Sequence, residues 1–298
     1  MKNFLLGVNG GAGKTEFLLT DRLEKKVYSF TIDKGTNPWH CGIEQTKNVL
    51  RDGFSKLKQE YIDNTEFAYL GISGCFGDSK YNSQIEAFVS KIFPKFKLAG
   101  DLYSSFRALS RNKYGLIAIA GSGSSIASFS SRGTYFFDGP AFGGRDFGYM
   151  LVKQLISGHL ETKAYLKGFI VQQIAPCMIS GSGKISEWSK EPKVLNLSSS
   201  FNSLRANEET FKEAKAYLDL VIDRWVYKIC SYVTKYKNDL DEAHELVLSG
   251  GFWKFTYIRK SVIEGIQENI PEVSVLYSEN AKPVIGCIRI AGEMTKNR

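Results

Sequence analysis

The chain has 298 residues, 43% apolar and 23% charged, which excludes a disordered or fibrous chain and leaves room for two domains of ordinary size. Its net charge is +8, from 39 basic and 31 acidic residues, but the lysines are spread along the chain rather than gathered into the stripe that a nucleic-acid surface needs. We therefore expect no nucleic-acid partner, only some attraction for phosphorylated ligands.

The first third reads as three strands, Phe4–Val8, Thr15–Leu19 and Val27–Ile32. A helix is expected near Gly42–Tyr61, with Ile43, Val49, Leu50, Phe54 and Leu57 at helical spacing. Strand Phe67–Ile72 follows, then a helix announced by the capping box Ser83-x-x-Glu86 and stopped by Pro94. Strand Phe96–Ala99 and a helix from about Leu102 to Leu109 close this part.

The order then restarts. Strands Leu116–Ala120, Ser125–Phe129 and Thr134–Phe137 precede a helix near Phe147–Ser157. A helical insert is expected over Asn207–Tyr236, its apolar stripe running through Phe211, Ala214, Leu218, Val221, Ile222, Trp225, Ile229 and Val233. Strand Glu245–Leu248, helix Tyr257–Gln267, strand Val273–Leu276 and a helix from about Val284 complete the pattern. The Gly/Ser-rich stretch Ser180–Ser203 reads as loop or insert.

Two glycine-rich turns carry the chemistry. Gly10-Gly11-Ala12-Gly13-Lys14-Thr15 joins the first two strands, and Gly121-Ser122-Gly123-Ser124 joins the first two strands of the repeat. A strand–glycine turn–strand unit lets backbone N–H groups converge on an anion with no Cβ in the way. Ordinary glycine hairpins explain either turn alone; their equivalent placement favours a phosphate chain. Gly-Lys-Thr also suggests a Walker A loop. That motif has a Gly five residues ahead of its Gly-Lys-Thr, where this chain has Val8, and it opens a helix where Glu16-Phe17-Leu18-Leu19 reads as a strand.

A repeated β-β-β-α-β-α-β-α unit is the ribonuclease H-like fold. With the two turns, the chain resembles the acetate and sugar kinase–hsp70–actin superfamily along its whole length. Within it the closest resemblance is to N-acetylglucosamine kinases and the BadF/BadG-type ATPases. The fold class so implied is α/β, a duplicated ribonuclease H-like, actin-like ATPase fold with a central nucleotide cleft. The domains would be 1–110 and 111–282, the second carrying the helical insert, with the terminal helix 283–298 packing back on the first.

The resemblance also assigns residues. The family's first turn is Gly-Val-(Asp/Glu)-Gly-Gly-Gly-Thr-(Lys/Arg)-(Thr/Ser); here it is Gly7-Val8-Asn9-Gly10-Gly11-Ala12-Gly13-Lys14-Thr15. It places Gly10, Gly11, Gly13, Lys14 and Thr15 on ATP and Asn9 beside Mg²⁺, where an amide oxygen is a weaker ligand than the family's carboxylate. Gly121, Ser122, Gly123 and Ser124 resemble the second phosphate turn, and Gly250-Gly251 in Ser249-Gly250-Gly251-Phe252-Trp253-Lys254 resembles the adenosine motif. Gly35-Thr36-Asn37-Pro38-Trp39 resembles the family's sugar segment Ser-Thr-Asn-x-Trp. Asn37 would serve sugar hydroxyls and Trp39 the flat face of the ring, the plainer alternative being a turn Asn before a core Trp. Ser73-Gly74 matches another sugar-side segment. Asp101 stands where the family keeps its general base, flanked by Gly100 and Leu102 instead of Thr and Ala, and a helix cap suits it equally. Asp146, in Arg145-Asp146-Phe147-Gly148, falls on the sugar-binding Asp of Gly-Asp-Glu-Gly, with Phe147 in place of the Glu; again a cap is the alternative.

The function implied is ATP-dependent phosphorylation of an amino sugar, N-acetylglucosamine first. Two rivals stand beside it. Asn9, Gly13 and Phe147 depart from the pattern and suit a sugar- or nucleotide-binding protein with little phosphotransfer. The other is an activator ATPase of acyl-CoA dehydratases, which holds an iron–sulfur cluster on paired cysteines. Cys41, Cys75, Cys177, Cys230 and Cys287 are scattered and odd in number, with no C-x-x-C, which argues against a cluster, a zinc site or a disulfide framework. His40, His159 and His244 show no metal spacing. No apolar run approaches a membrane span and no signal segment precedes the first strand, so a cytoplasmic protein without a membrane partner is expected, with a homodimer left open.

Overall fold

A computed structural model describes residues 3–121, 123–137, 142–179, 204, 207–235 and 245–296. The chain forms two compact units, residues 1–113 with 278–298, and residues 114–277.

The first unit holds β1 (Phe4–Gly10), β2 (Thr15–Asp21), β3 (Lys26–Ile32), β4 (Thr65–Ile72) and β5 (Phe96–Ala99), in the sheet order β3-β2-β1-β4-β5. β1, β4 and β5 are parallel; β2 and β3 are antiparallel additions at the edge. The helices are α1 (Pro38–Cys41), α2 (Ile43–Ser55), α3 (Gln59–Asp63), α4 (Asn82–Val89) and α5 (Asp101–Arg107). Alternation along the strands sends Leu6, Val8, Phe17 and Leu19 to one face, where they meet Leu50, Phe54, Ile85 and Val89 of α2 and α4. Leu5, Phe67 and Tyr69 go to the other face and meet Cys287, Ile288 and Ile290.

Those last residues belong to α10 (Pro283–Lys296). This helix docks where the sheet has no side chains to hold it off. A Cβ on Gly7 would stand 2.9 Å from the Val284 carbonyl oxygen, and one on Gly286 would collide with the Ser104 carbonyl of α5. The dock is fastened by Arg107, almost fully buried, whose guanidinium grips Glu293 with both terminal nitrogens, one at 2.9 Å.

The second unit repeats the plan. It contains β6 (Gly115–Ala120), β7 (Ser124–Ser130), β8 (Gly133–Phe136), α6 (Gly144–Ile156), α7 (Ala164–Ile179), α8 (Glu208–Lys235), β9 (Glu245–Ser249), α9 (Thr256–Asn269) and β10 (Ser274–Leu276). Its sheet runs β10-β9-β6-β7-β8, the same arrangement strand for strand. The stripe Ala214, Leu218, Val221, Trp225 and Ile229 on α8 is buried, and Trp225 packs 4.7 Å from Trp253. The two indoles stay satisfied by donating to the carbonyls of Phe142 and Ala118, both at 3.0 Å.

The structure corrects several elements. The single helix expected over 42–61 is two, because the amides of Lys56 and Leu57 turn back three residues, to Gly53 and Phe54, and close α2. The capping box at Ser83 does not form: α4 starts at Asn82, whose side-chain Nδ2 donates to the Gly77 carbonyl at 2.7 Å, so Ser83 lies inside the first turn. Helix α7 was not expected, since its sequence is apolar on all sides and interrupted by Gly168 and Pro176, leaving no stripe to read. The stretch 180–203 and His244 lie outside the described residues. Among the described residues no helix is long and apolar enough to cross a membrane.

Candidate active site

In the first unit the predicted residues cluster at the carboxyl ends of three neighbouring parallel strands, where ligands bind in open α/β sheets. Asn9 and Gly10 end β1, Ser73 and Gly74 follow β4, and Asp101 follows β5. Asn9 is in register with Gly71 of β4, and Gly71 with Ala99 of β5.

The first glycine turn is built onto the sugar segment. The Gly11 carbonyl accepts from the amides of Thr36 and Asn37, at 3.0 and 3.2 Å. Thr15 is fully buried and spends its hydroxyl on the Lys34 carbonyl, at 2.9 Å, beside Thr36 Oγ1. A Cβ on Gly10 would collide with Thr36, so Gly10 is needed for this packing and a larger residue there would not simply fill a phosphate position. Gly13, in contrast, has nothing within 4 Å of where its Cβ would stand. Lys14 is exposed and paired to Glu16 at 2.9 Å; such a surface pair is weak enough to give way to a phosphate.

Asn37 and Trp39 are fixed together. Asn37 caps α1, its Oδ1 accepting from the Trp39 amide at 3.0 Å while its Nδ2 donates to Ser73 Oγ at 3.3 Å. Trp39 Nε1 donates to the Gly74 carbonyl at 3.0 Å. Gly74 has φ +87°, and a Cβ on it would stand 2.7 Å from the indole, so glycine is required twice over. Asn37, Trp39, Ser73 and Gly74 are thus one hydrogen-bonded cluster. Trp39 is 60% exposed, which removes the core-Trp alternative, and it stands edge-on to Tyr81 at 5.1 Å with Lys80 Nζ 5.2 Å from its ring centre. Lys80 and Tyr81 carried no signal in the sequence, since they lie on an irregular loop without a motif.

Asp101 is the first residue of α5, whose N-cap is Gly100 without a side-chain cap bond, so the cap expected at Asp101 does not form. Burial pushes its carboxyl up to about 6, far above the ordinary carboxylate range. Ser104 Oγ lies 2.9 Å from the Asp101 carbonyl oxygen and 3.4 Å from Asn9 Oδ1. Gly100 lets Phe76 close over the backbone beside Asp101, where a Cβ would strike its ring. A carboxyl poised near 6 in a partly enclosed site is the environment of a general base.

In the second unit the amide of Gly121 donates to the Gly123 carbonyl at 2.8 Å, and the Gly144 amide donates to the Gly121 carbonyl at 2.8 Å. This sets the start of α6 against the turn. Ser122 lies outside the described residues. Gly250 has φ +111° and packs its backbone on Ala120 at the end of β6. Gly121, Gly123 and Gly251 all point their missing Cβ into open space, which leaves their backbones accessible to a phosphate or a ribose. Asp146 acts as a cap: it accepts from the Gly143 amide at 2.9 Å through Oδ2. Phe147, where the family resemblance expects Glu, is fully buried in the core.

Comparison with known proteins yields no matching family model and no matching curated protein. Solved structures do match. A protein from Porphyromonas gingivalis provisionally assigned as an N-acetylglucosamine kinase superposes with TM-score 0.65 at 15% identity, over 98% of this chain and 99% of that one. A second such protein, from Chromobacterium violaceum, gives TM-score 0.63 at 16% identity, over 96% and 99% of the two chains. A ROK family glucokinase from Streptomyces griseus, in complex with glucose and AMPPNP, gives 0.60 at 12%, over 97% and 99%. Identities this low carry the fold and no more. With two sheets of one strand order, the chain has the duplicated α/β fold of the actin-like ATPases, which these sugar kinases share.

Proposed function

We propose that the chain is an ATP-dependent kinase of an amino sugar, with N-acetylglucosamine as the first candidate. The observation that carries this reading is Asp101, a carboxyl held near 6 at the end of β5, next in the sheet to the strand end that bears the Asn37–Trp39–Ser73–Gly74 cluster. Asn37 has used one amide hydrogen and one lone pair within the fold, so it keeps one of each for sugar hydroxyls. The exposed face of Trp39 suits the apolar side of a sugar ring. Asp146 has Oδ1 left over from its cap for a further hydroxyl.

Asp101 would take the proton from the acceptor hydroxyl. The hydroxyl oxygen then bonds to the γ-phosphorus as the bond to the β–γ bridging oxygen breaks, leaving ADP and a protonated Asp101. The backbones at Gly13 and Gly123, where a Cβ would meet nothing within 4 Å, and the Lys14 ammonium would receive the phosphates, the Gly121 amide being spent on the Gly123 carbonyl. For Mg²⁺, the neutral Asn9 Oδ1 at the end of β1 would suit a hydrated ion arriving on the nucleotide's phosphates rather than an all-protein cage. Bound there, Mg²⁺ supplies positive charge to the transferring phosphoryl group.

The test is ADP release from ATP over a panel of amino sugars, with Asp101→Asn beside the wild type. Sugar-dependent release that Asp101→Asn abolishes supports the kinase. Sugar binding without release in the wild type moves the protein to the second reading, a sugar-binding protein, which the amide at Asn9 and the engagement of Lys14 by Glu16 favour.

A further inference from the structure

A cavity of about 300 Å³ lies in the first unit, away from the strand ends just described. Its floor is one face of the β2–β3 ribbon: Glu16, Leu18 and Thr20 alternate along β2, and Ser29 and Thr31 are the partners of Leu18 and Glu16 across the ladder. Its roof is the first turns of α10, through Val284, Ile285 and Ile288, with Lys282 just ahead of them. The opposite face of the ribbon is filled by Phe17 packing on Phe54 of α2. α10 therefore covers its face of the ribbon incompletely.

Three observations point to a ligand. Thr20 is 1% exposed, lines this cavity, and its hydroxyl has no hydrogen-bond partner among the described residues. Buried hydroxyls without a partner are uncommon and costly. Its setting is a bulge: the β2–β3 register shifts between Leu19 and Thr20, so Leu19 faces Tyr28 and Thr20 faces Lys26. Bulges re-aim side chains and are common beside sites. Finally, of the charged residues lining the cavity Glu16 is paired to Lys14, whereas Glu24, Lys26 and Lys282 have no ion-pair partner among the described residues, which leaves two ammonium groups to one free carboxylate.

We infer that this cavity binds a small organic anion with an apolar body, a medium-chain carboxylate in type. The chain would lie between Leu18 and the Ile285–Ile288 turn, the Thr20 hydroxyl would gain a partner, and the carboxylate would sit between Lys26 and Lys282. The volume is at the lower end for ligand pockets, which suits such a compound. The cavity shares no residue with the glycine turn and meets it only through Glu16, whose Lys14 partner the kinase reading would draw to a phosphate.

The test uses the full chain, with octanoate as probe and octanol and octylamine as controls, all below micelle-forming concentrations. Calorimetry should show octanoate binding, and methyl NMR should place its shifts on Leu18, Thr20, Ile285 and Ile288. Lys282→Glu, an exposed change that leaves the core alone, should weaken binding roughly tenfold or more, as loss of a charge-assisted contact does. Ser29→Phe should abolish it by filling the floor. Equal binding of octylamine, no binding of octanoate, or unchanged affinity in a folded Lys282→Glu would each overturn the inference. Should Ser29→Phe fail to fold, the methyl shifts and the Lys282→Glu affinity decide alone.

Discussion

Replacing Asp101 by Asn separates what the fold wants from what catalysis wants. Burial raises the carboxyl from its ordinary 3.8 to about 6. The folded-state pKa is therefore above the unfolded one, so the protonated acid is the form the fold tolerates. Its stability is intact below about pH 4 and is lost as pH rises through about 6. At 1.36 kcal/mol per decade, the interval amounts to about 3 kcal/mol near pH 8 and about half that near pH 5. Asn is neutral and of the same size, so it escapes this loss. Denaturant unfolding should find Asp101→Asn more stable than wild type, by a margin that opens between about pH 4 and 7 and then stays flat. Phosphotransfer should move the other way. The wild-type kcat/KM should rise with pH through about 6, where the base ionises, and the variant's kcat should fall roughly 10²–10⁴-fold. A stability margin that is absent, or that shrinks as pH rises, would refute the account of a desolvated carboxylate. Full activity in the variant would place the base elsewhere.

Trp39→Ala should raise the sugar KM while leaving the unfolding midpoint within about 0.5 kcal/mol, because the ring is largely exposed, and Trp39→Phe should recover part of the affinity. Steady-state kinetics and thermal melts check both. Gly13→Val and Gly121→Val place their side chains in open space, so each should keep its melting temperature and lose its nucleotide-induced shift; Gly10→Val strikes Thr36 and should lose both. Gly286→Ala drives a methyl into the Ser104 carbonyl and should cost about 1–3 kcal/mol or more, read by urea unfolding. Asn9→Asp places a second carboxylate beside Ser104. Without Mg²⁺ it should move the Asp101 titration, followed by NMR, above about 6, and added Mg²⁺ should bring it back.

The strands were legible because they alternate or run apolar between glycine turns, and their order repeated because the two units bury their sheets in the same way. Phe17 and Leu19 against Leu18 show the signal: neighbours face opposite layers, and both layers are covered. The break after Ser55 was not legible, since Leu57 is buried and so continues the apolar stripe past the point where the backbone turns. Helix α7 was missed for the opposite reason, having no polar face to mark a period. At the site, Asn37 and Trp39 were readable as a spacing, but their bonds to Ser73 and Gly74 join loops about 35 residues apart and exist only in the fold. Lys80 and Tyr81 complete that cluster by proximity alone. Asp146 was readable as a cap from its place at the start of a helix, and the Gly143 amide bears that out.

Asn9 has a physical rationale beyond being a weaker metal ligand. It and Asp101 both flank Ser104, whose hydroxyl lies 3.4 Å from the Asn9 amide oxygen and 2.9 Å from the Asp101 carbonyl oxygen. An aspartate at this position would add a negative charge on a residue that shares Ser104 with Asp101, whose carboxyl burial already disfavours ionising. Until a cation arrived, the two acids would compete, and the more buried one would hold its proton. A protonated Asp101 cannot accept one from a sugar hydroxyl. With an amide at position 9, the base stays within reach of ionisation at neutral pH whether or not a cation is present. The cost falls on the metal side, where one neutral oxygen replaces an anionic one. On the kinase reading, Asn9 would therefore trade cation affinity for a base whose readiness is set by burial, and limiting Mg²⁺ and mildly acidic pH are the conditions that would test it.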